Sequence, residues 1–170
     1  MSREKPDYKN AERESLYLLD QFSYKNPLVN PVEIAKGLGI RVDFATMKEE
    51  KDKADVSGFF DPTNNAIVVN VEQQTSRQLF TVAHELGHKV LHTDWLNQSN
   101  EILYRSSYVS RDWREQEANF FAANLLLPKF MMDRYQKKYG LDEKYLDIWA
   151  GIFGVSREFM LNRWRFLYGK

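Results

Sequence analysis

The only three histidines of this chain stand at positions 84, 88 and 92, inside the stretch T-V-A-H-E-L-G-H-K-V-L-H. Residues four apart lie one above another on a helix. Leu79, Val82, Ala83, Leu86 and Val90 repeat through the same segment as an apolar stripe, the pattern of an amphipathic helix packed on a core. A helix starting near Thr75 is therefore expected, buried along one side and carrying a glutamate beside its first histidine. The rest of the chain has to be built around it.

The chain supplies the means for that core. Its 170 residues are 43% hydrophobic and 14% aromatic, which suits one domain with a real core and excludes a disordered chain. Basic and acidic residues balance at 24 each, so charge alone gives no reason to expect nucleic acid or an anionic membrane as the main partner. Cysteine is absent, so any metal must be held by nitrogen and oxygen. The opening M-S-R-E-K-P-D-Y-K-N is polar and unlike a secretory signal, and no apolar run approaches the roughly 20 residues of a membrane span. A soluble cytoplasmic protein is expected, with no membrane partner.

Along the chain, Leu16, Leu19 and Phe22 mark a helix from Ala11 to about Tyr24. N-P-V-E-I-A-K-G-L-G-I carries its own punctuation: Asn30 to cap, Pro31 for the first turn, Gly37 or Gly39 to stop. I-R-V-D-F alternates as a strand, and V-S-G-F-F-D and A-I-V-V-N-V read as two strands joined by a P-T-N-N turn. Thr93 to about Ser110 reads as loop. Arg111 to Leu127 is helical and closed by Pro128, and Lys129 to Lys170 reads as two or three short helices broken near Gly140 and Gly154. Helices around a small antiparallel or mixed three-stranded sheet place the fold in the α+β class. A core with N-terminal helices over residues 1–128 and a helical extension over 129–170, packed on the same domain, is the expected organisation.

The chemistry lies in H-E-L-G-H. His84 and His88 are about 6 Å apart along a helix axis, a span that two imidazoles can bridge to one ion. Glu85 stands beside the first and can reach a water on that ion without binding it. Two nitrogens for zinc and one carboxylate for the water's proton are the working parts of H-E-x-x-H. Gly87 costs about 1 kcal/mol of helix propensity relative to alanine, a cost offset if another helix comes close at that point. His92 is about 12 Å from His84 along the axis and turned by roughly 80°, so one ion cannot reach it as well as His88. It is read as a partly buried structural residue or an outer-shell donor.

The third ligand must come from elsewhere, with a position left open for water. R-E-Q-E-A-N-F-F-A-A-N-L-L-L-P offers Glu115 and Glu117 on an apolar helix thinned by Ala118, Ala122 and Ala123. Glu115 shares a face with Asn119, whose amide oxygen can accept the second N–H of a ligand histidine and fix its tautomer. Glu115 is preferred and Glu117 is the alternative.

These two motifs together, R-Q-L-F-T-V-A-H-E-L-G-H-K-V-L-H and E-x-E-A-N-x-F-A-A-x-L-L-x-P, resemble those of the ImmA/IrrE metallopeptidases. The resemblance runs from about Pro31 to Pro128 and includes the strands ahead of the motif helix. It implies a minimal zincin-like fold and a zinc-dependent endopeptidase, with zinc on His84, His88 and Glu115 and Glu85 as general base. It also implies a regulatory role, since relatives cleave repressors of mobile elements or of stress-response genes. Leu127 stands where the family often has methionine, a conservative departure.

Three further expectations complete the picture. Tyr104 and Tyr108, between the two ligand segments, are candidate donors to the tetrahedral oxyanion. An extended substrate can add to a strand edge at Ser57 to Asp61 or Ala66 to Val71. The C-terminal L-D-I-W-A-G-I-F-G-V-S-R-E-F-M-L-N-R-W-R-F-L resembles a helix-turn-helix with Arg157, Arg163 and Arg165 on or near its second helix. That segment supports an alternative reading: a non-catalytic binding or sensor module that contacts DNA.

Overall fold

The structure is a computed structural model and describes residues 5–47, 56–98 and 112–169. Two helices come first, α1 (Tyr8–Gln21) and α2 (Pro31–Gly37), followed by β1 (Arg41–Ala45), β2 (Gly58–Asp61) and β3 (Ala66–Asn70). Helices α3 (Thr75–Leu91), α4 (Thr93–Gln98) and α5 (Trp113–Leu126) follow, then α6 (Lys129–Tyr139), a 3-10 turn, α7 (Leu146–Phe153) and α8 (Arg157–Tyr168).

Local chemistry accounts for most of these boundaries. Asn30 accepts from the Val32 amide at 3.1 Å and Pro31 occupies the first turn, so α2 starts where its cap and its proline put it. Asp61 accepts from the amides of Thr63 and Asn64, and Asn65 takes a left-handed conformation. These residues close the hairpin from β2 to β3. Gly140 and Gly154 both end helices in the left-handed region, where a side chain would be strained. Ser156 caps α8 by accepting from the Phe159 amide.

The sheet is mixed, in the order β1-β3-β2, with β3 parallel to β1 and antiparallel to β2. Its central strand is therefore β3, bonded on both sides. Of the two segments expected to offer a free edge, Ala66 to Val71 is already used and only the β2 segment remains. The stretch after His92 also departs from expectation: Thr93–Gln98 is a short helix rather than loop. Its six residues T-D-W-L-N-Q are too few and too polar to show a period, and the turn simply continues from α3.

Helix α3 lies at the centre of the molecule. It packs against α5, α2, α1 and the sheet. Its residues from Thr81 to His88 are all buried, and Val82, Ala83 and Leu86 join Phe121, Ala122, Leu125 and the sheet residues Ile67 and Val69 in one core. Gly58 brings β2 close to α3: a Cβ there would lie 2.6 Å from the Thr81 methyl. Among the described residues no helix is long and apolar enough to cross a membrane.

The C-terminal helices continue this core. Trp149, Phe153, Met160 and Trp164 are buried in it. Arg163 is 4% exposed, and it donates from Nε to the Leu127 carbonyl and from Nη2 to Asn124 Oδ1. Leu127 is the cap residue of α5, whose last carbonyls have no partner within the helix. One arginine of the expected basic face therefore points inward and ties α8 to α5.

Candidate metal centre

The pairing of α3 with α5 creates the site. At Gly87 the two helices touch: a Cβ would lie 2.9 Å from Phe121 Cδ1 and 3.3 Å from Ala118 Cα. A glycine facing an alanine lets the backbones approach, and the side chains on either side of the contact then meet. His84 and His88 come from α3, and Glu115 comes from the first turn of α5, which Asp112 caps through the Arg114 amide.

The two histidine Nε2 atoms are 3.1 Å apart. Glu115 places Oε2 3.3 Å from His84 Nε2 and Oε1 3.4 Å from His88 Nε2. One donor atom from each residue lies within 4.8 Å of the other two, and this is the one such cluster of three among the described residues. Burial raises the Glu115 carboxyl, but hydrogen bonds and charge from His84 and His88 outweigh it and hold it well below the usual carboxylate range. The group is an anion.

The outward nitrogens are engaged as well. His84 Nδ1 is 2.9 Å from Asn119 Oδ1. An amide oxygen only accepts, so His84 Nδ1 carries a proton, and the neutral form of the ring that an ion would take offers its lone pair at Nε2. His88 Nδ1 is 3.0 Å from His92 Nδ1, and His92 Nε2 is 2.8 Å from Glu117 Oε2. Two imidazole nitrogens and a carboxylate, converging with their other polar atoms occupied, suit a divalent ion of zinc's preference. Glu85 is 3% exposed on the same buried stretch.

Each residue singled out in the sequence can now be located. His84, His88 and Glu115 come together, with Glu85 beside them in the chain and Asn119 behind His84. His92 and Glu117 are paired one step further out. Tyr104 and Tyr108 lie outside the described residues. Sequence reasoning did not pick out Trp95 and Trp113, whose rings stand edge-on to His92 at 6.5 and 5.5 Å. Trp95 fell in a segment read as loop, where no period could assign it a face. Phe80, one turn ahead of His84 with its ring 6.0 Å away, was also missed, although its spacing of four could have found it.

Residues 35–165 match the family described as the IrrE N-terminal-like domain, Peptidase_M78. The chain belongs to the ImmA/IrrE family. This family is one of metallopeptidases, and its members include relatives of unequal reach. The chain is 32% identical over 117 residues to a Bacillus phage phi105 protein named "Uncharacterized immunity region protein 2", covering 67% of this chain and 69% of the phage protein. It is also 32% identical over 85 residues to the "Radiation response metalloprotease IrrE" of Deinococcus radiodurans, covering 49% of this chain but 25% of that protein. Among solved structures, a Mycobacterium tuberculosis transcriptional regulator superposes with a TM-score of 0.67 at 17% identity, over 92% of this chain and 46% of the other. That likeness concerns the fold alone. The chain thus spans a quarter of the Deinococcus protein and about half of the mycobacterial one.

Proposed function

We propose that this ImmA/IrrE chain is a zinc-dependent endopeptidase that cleaves a regulatory protein of repressor type in the cytoplasm. The observation that carries the reading is the convergence of His84, His88 and Glu115 within 4.8 Å, next in the chain to the buried Glu85. His84 and His88 would hold the ion through Nε2, and Glu115 through its carboxylate. When bound, zinc supplies a Lewis acid that polarises a carbonyl and brings the pKa of water at the site toward about 7.

The remaining work falls to the chain. Glu85 takes the proton of the attacking water on its carboxylate and passes it to the amine as the C–N bond breaks, a role worth about 10²–10⁴ in rate. Asn119 holds the His84 ring in one tautomer. The scissile segment lies extended along the edge of β2, the strand that follows α3 from Thr81 opposite Gly58 to Lys89, whose ammonium sits 5.1 Å over the Phe60 ring. A strand edge recognises backbone, so the substrate is a protein with an exposed extended segment.

The DNA-contacting alternative loses one of its three arginines to the fold. Arg163 is buried in hydrogen bonds to α5, and Arg157 pairs with Asp147 at 3.1 Å. The decisive experiment incubates the chain with the product of the neighbouring gene, with and without chelator. Cleavage should be blocked by chelator and lost in Glu85→Gln while zinc stays bound; cleavage indifferent to that substitution sinks the mechanism. Full zinc occupancy in Glu115→Ala would show that another carboxylate is the ligand.

A further inference from the structure

We propose that His92 and Glu117 are positioning residues that relay the charge of a buried carboxylate to His88 and so strengthen it as a metal ligand. The inference rests on the reading that His84, His88 and Glu115 hold the ion. If His88 ligates through Nε2, that nitrogen offers a lone pair and the ring's proton is on Nδ1. Only one of two facing ring nitrogens can donate, so at 3.0 Å His88 Nδ1 donates and His92 Nδ1 accepts. The proton of His92 is then on Nε2, which donates at 2.8 Å to Glu117 Oε2. One condition at the ligand thus fixes the direction of every hydrogen bond behind it.

The surroundings make this direction matter. His88 is fully buried, Glu117 is 1% exposed, and the Trp95 and Trp113 rings close around His92. Charge acts over longer distances in such a setting than in water. The second oxygen of Glu117 accepts from the Asp7 amide at the cap of α1, so the carboxylate is held at both ends. His84, by contrast, rests on the neutral amide of Asn119. Two ligands from one helix are therefore supported unequally: one by an anion acting through a second imidazole, the other by an amide.

In Glu117→Gln the amide oxygen can still accept from His92, but its NH2 then faces the Asp7 amide. The variant thus removes the charge and the bond to α1 together, whereas Glu117→Asp keeps the charge. The charge distinguishes a relay from a packing role. Zinc affinity of the metal-free full chain, measured by competition with a chromophoric chelator, should fall by about tenfold in Glu117→Gln. Glu117→Asp, which keeps the charge, should recover most of that loss. Nitrogen-15 spectra of the zinc-loaded wild type, which need no variant, should find His92 protonated at Nε2 and bare at Nδ1. Wild-type affinity in Glu117→Gln, equal losses in the Gln and Asp variants, or a His92 proton on Nδ1 overturns the relay. A wild type that takes up one zinc, lost in Glu115→Ala, yet is indifferent to Glu117→Gln overturns the relay alone. A wild type that takes up none overturns the ligand triad with it.

Discussion

At Gly87 the helix gives up propensity in return for an approach that no other residue allows. Alanine there would gain about 1 kcal/mol as a helix former. Its methyl group would also press on the Phe121 ring and on the Ala118 backbone, which cannot swing aside. Overpacking of this kind costs about 1–3 kcal/mol. Gly87→Ala should therefore unfold at lower denaturant and bind zinc more weakly, because α5 and Glu115 are pushed away from α3. Unfolding curves of the metal-free protein and chelator competition check the two effects separately. At this scale much of the candidate site's geometry was legible. His84, Glu85 and His88 follow from a local period, and Gly87 from its position opposite an alanine-rich helix. Spacing alone favoured Glu115 over Glu117 as the ligand without deciding between them. Both carboxylates turn inward, and the division between them depends on how the two helices are rotated against each other. His92 was placed outside the ion's reach by helix geometry, but its partner lies 25 residues away and no local rule connects them.

Among the elements, α8 shows how a charged residue can serve the fold instead of the surface. Arg163 satisfies the Leu127 carbonyl at the end of α5 and the Asn124 side chain from a site where burial lowers its guanidinium to about 10. Removing it leaves a buried acceptor unpaired, and hydrogen bonds to charged groups are worth about 1.5–3 kcal/mol each. Arg163→Ala should cost at least about 2 kcal/mol in equilibrium unfolding, whereas Arg157→Ala, whose ion pair is exposed, should change stability by less than about 1 kcal/mol. Equal effects from the two would mean that α8 is not anchored by this residue. The helices themselves were readable from caps and stops: Asn30, Ser156, Gly140 and Gly154 all act where the chain places them. The sheet order was not. That β3 lies between β1 and β2 is a matter of pairing between distant segments, which alternation within one strand does not encode. The basic, aromatic pattern of α8 likewise fits a DNA-reading helix and a packing helix, and of its arginines Arg163 is tied to the fold by its partners.

For the molecule as a whole, the proposed ligands come from elements distant in sequence, so an ion held there by the folded state alone would stabilise all of it. At a free zinc concentration of 100 times Kd the gain is about 2.7 kcal/mol. The wild type should melt at a higher temperature with zinc than with chelator, and Glu115→Ala should melt at the same temperature in both. The gain has a particular geography. The Asp7 amide is bonded to Glu117, and Tyr8 Oη donates to Gln116 Oε1 at 2.9 Å, so the first turn of α1 is tied to the helix that carries Glu115. Coupling of this kind is reciprocal. If docking of α1 steadies the carboxylate behind His92, then filling the metal centre must hold α1 down by the same free energy. Hydrogen exchange at Asp7 should slow when zinc is added and should lose that response in Glu117→Gln. The opening helix would then report the occupancy of the metal centre.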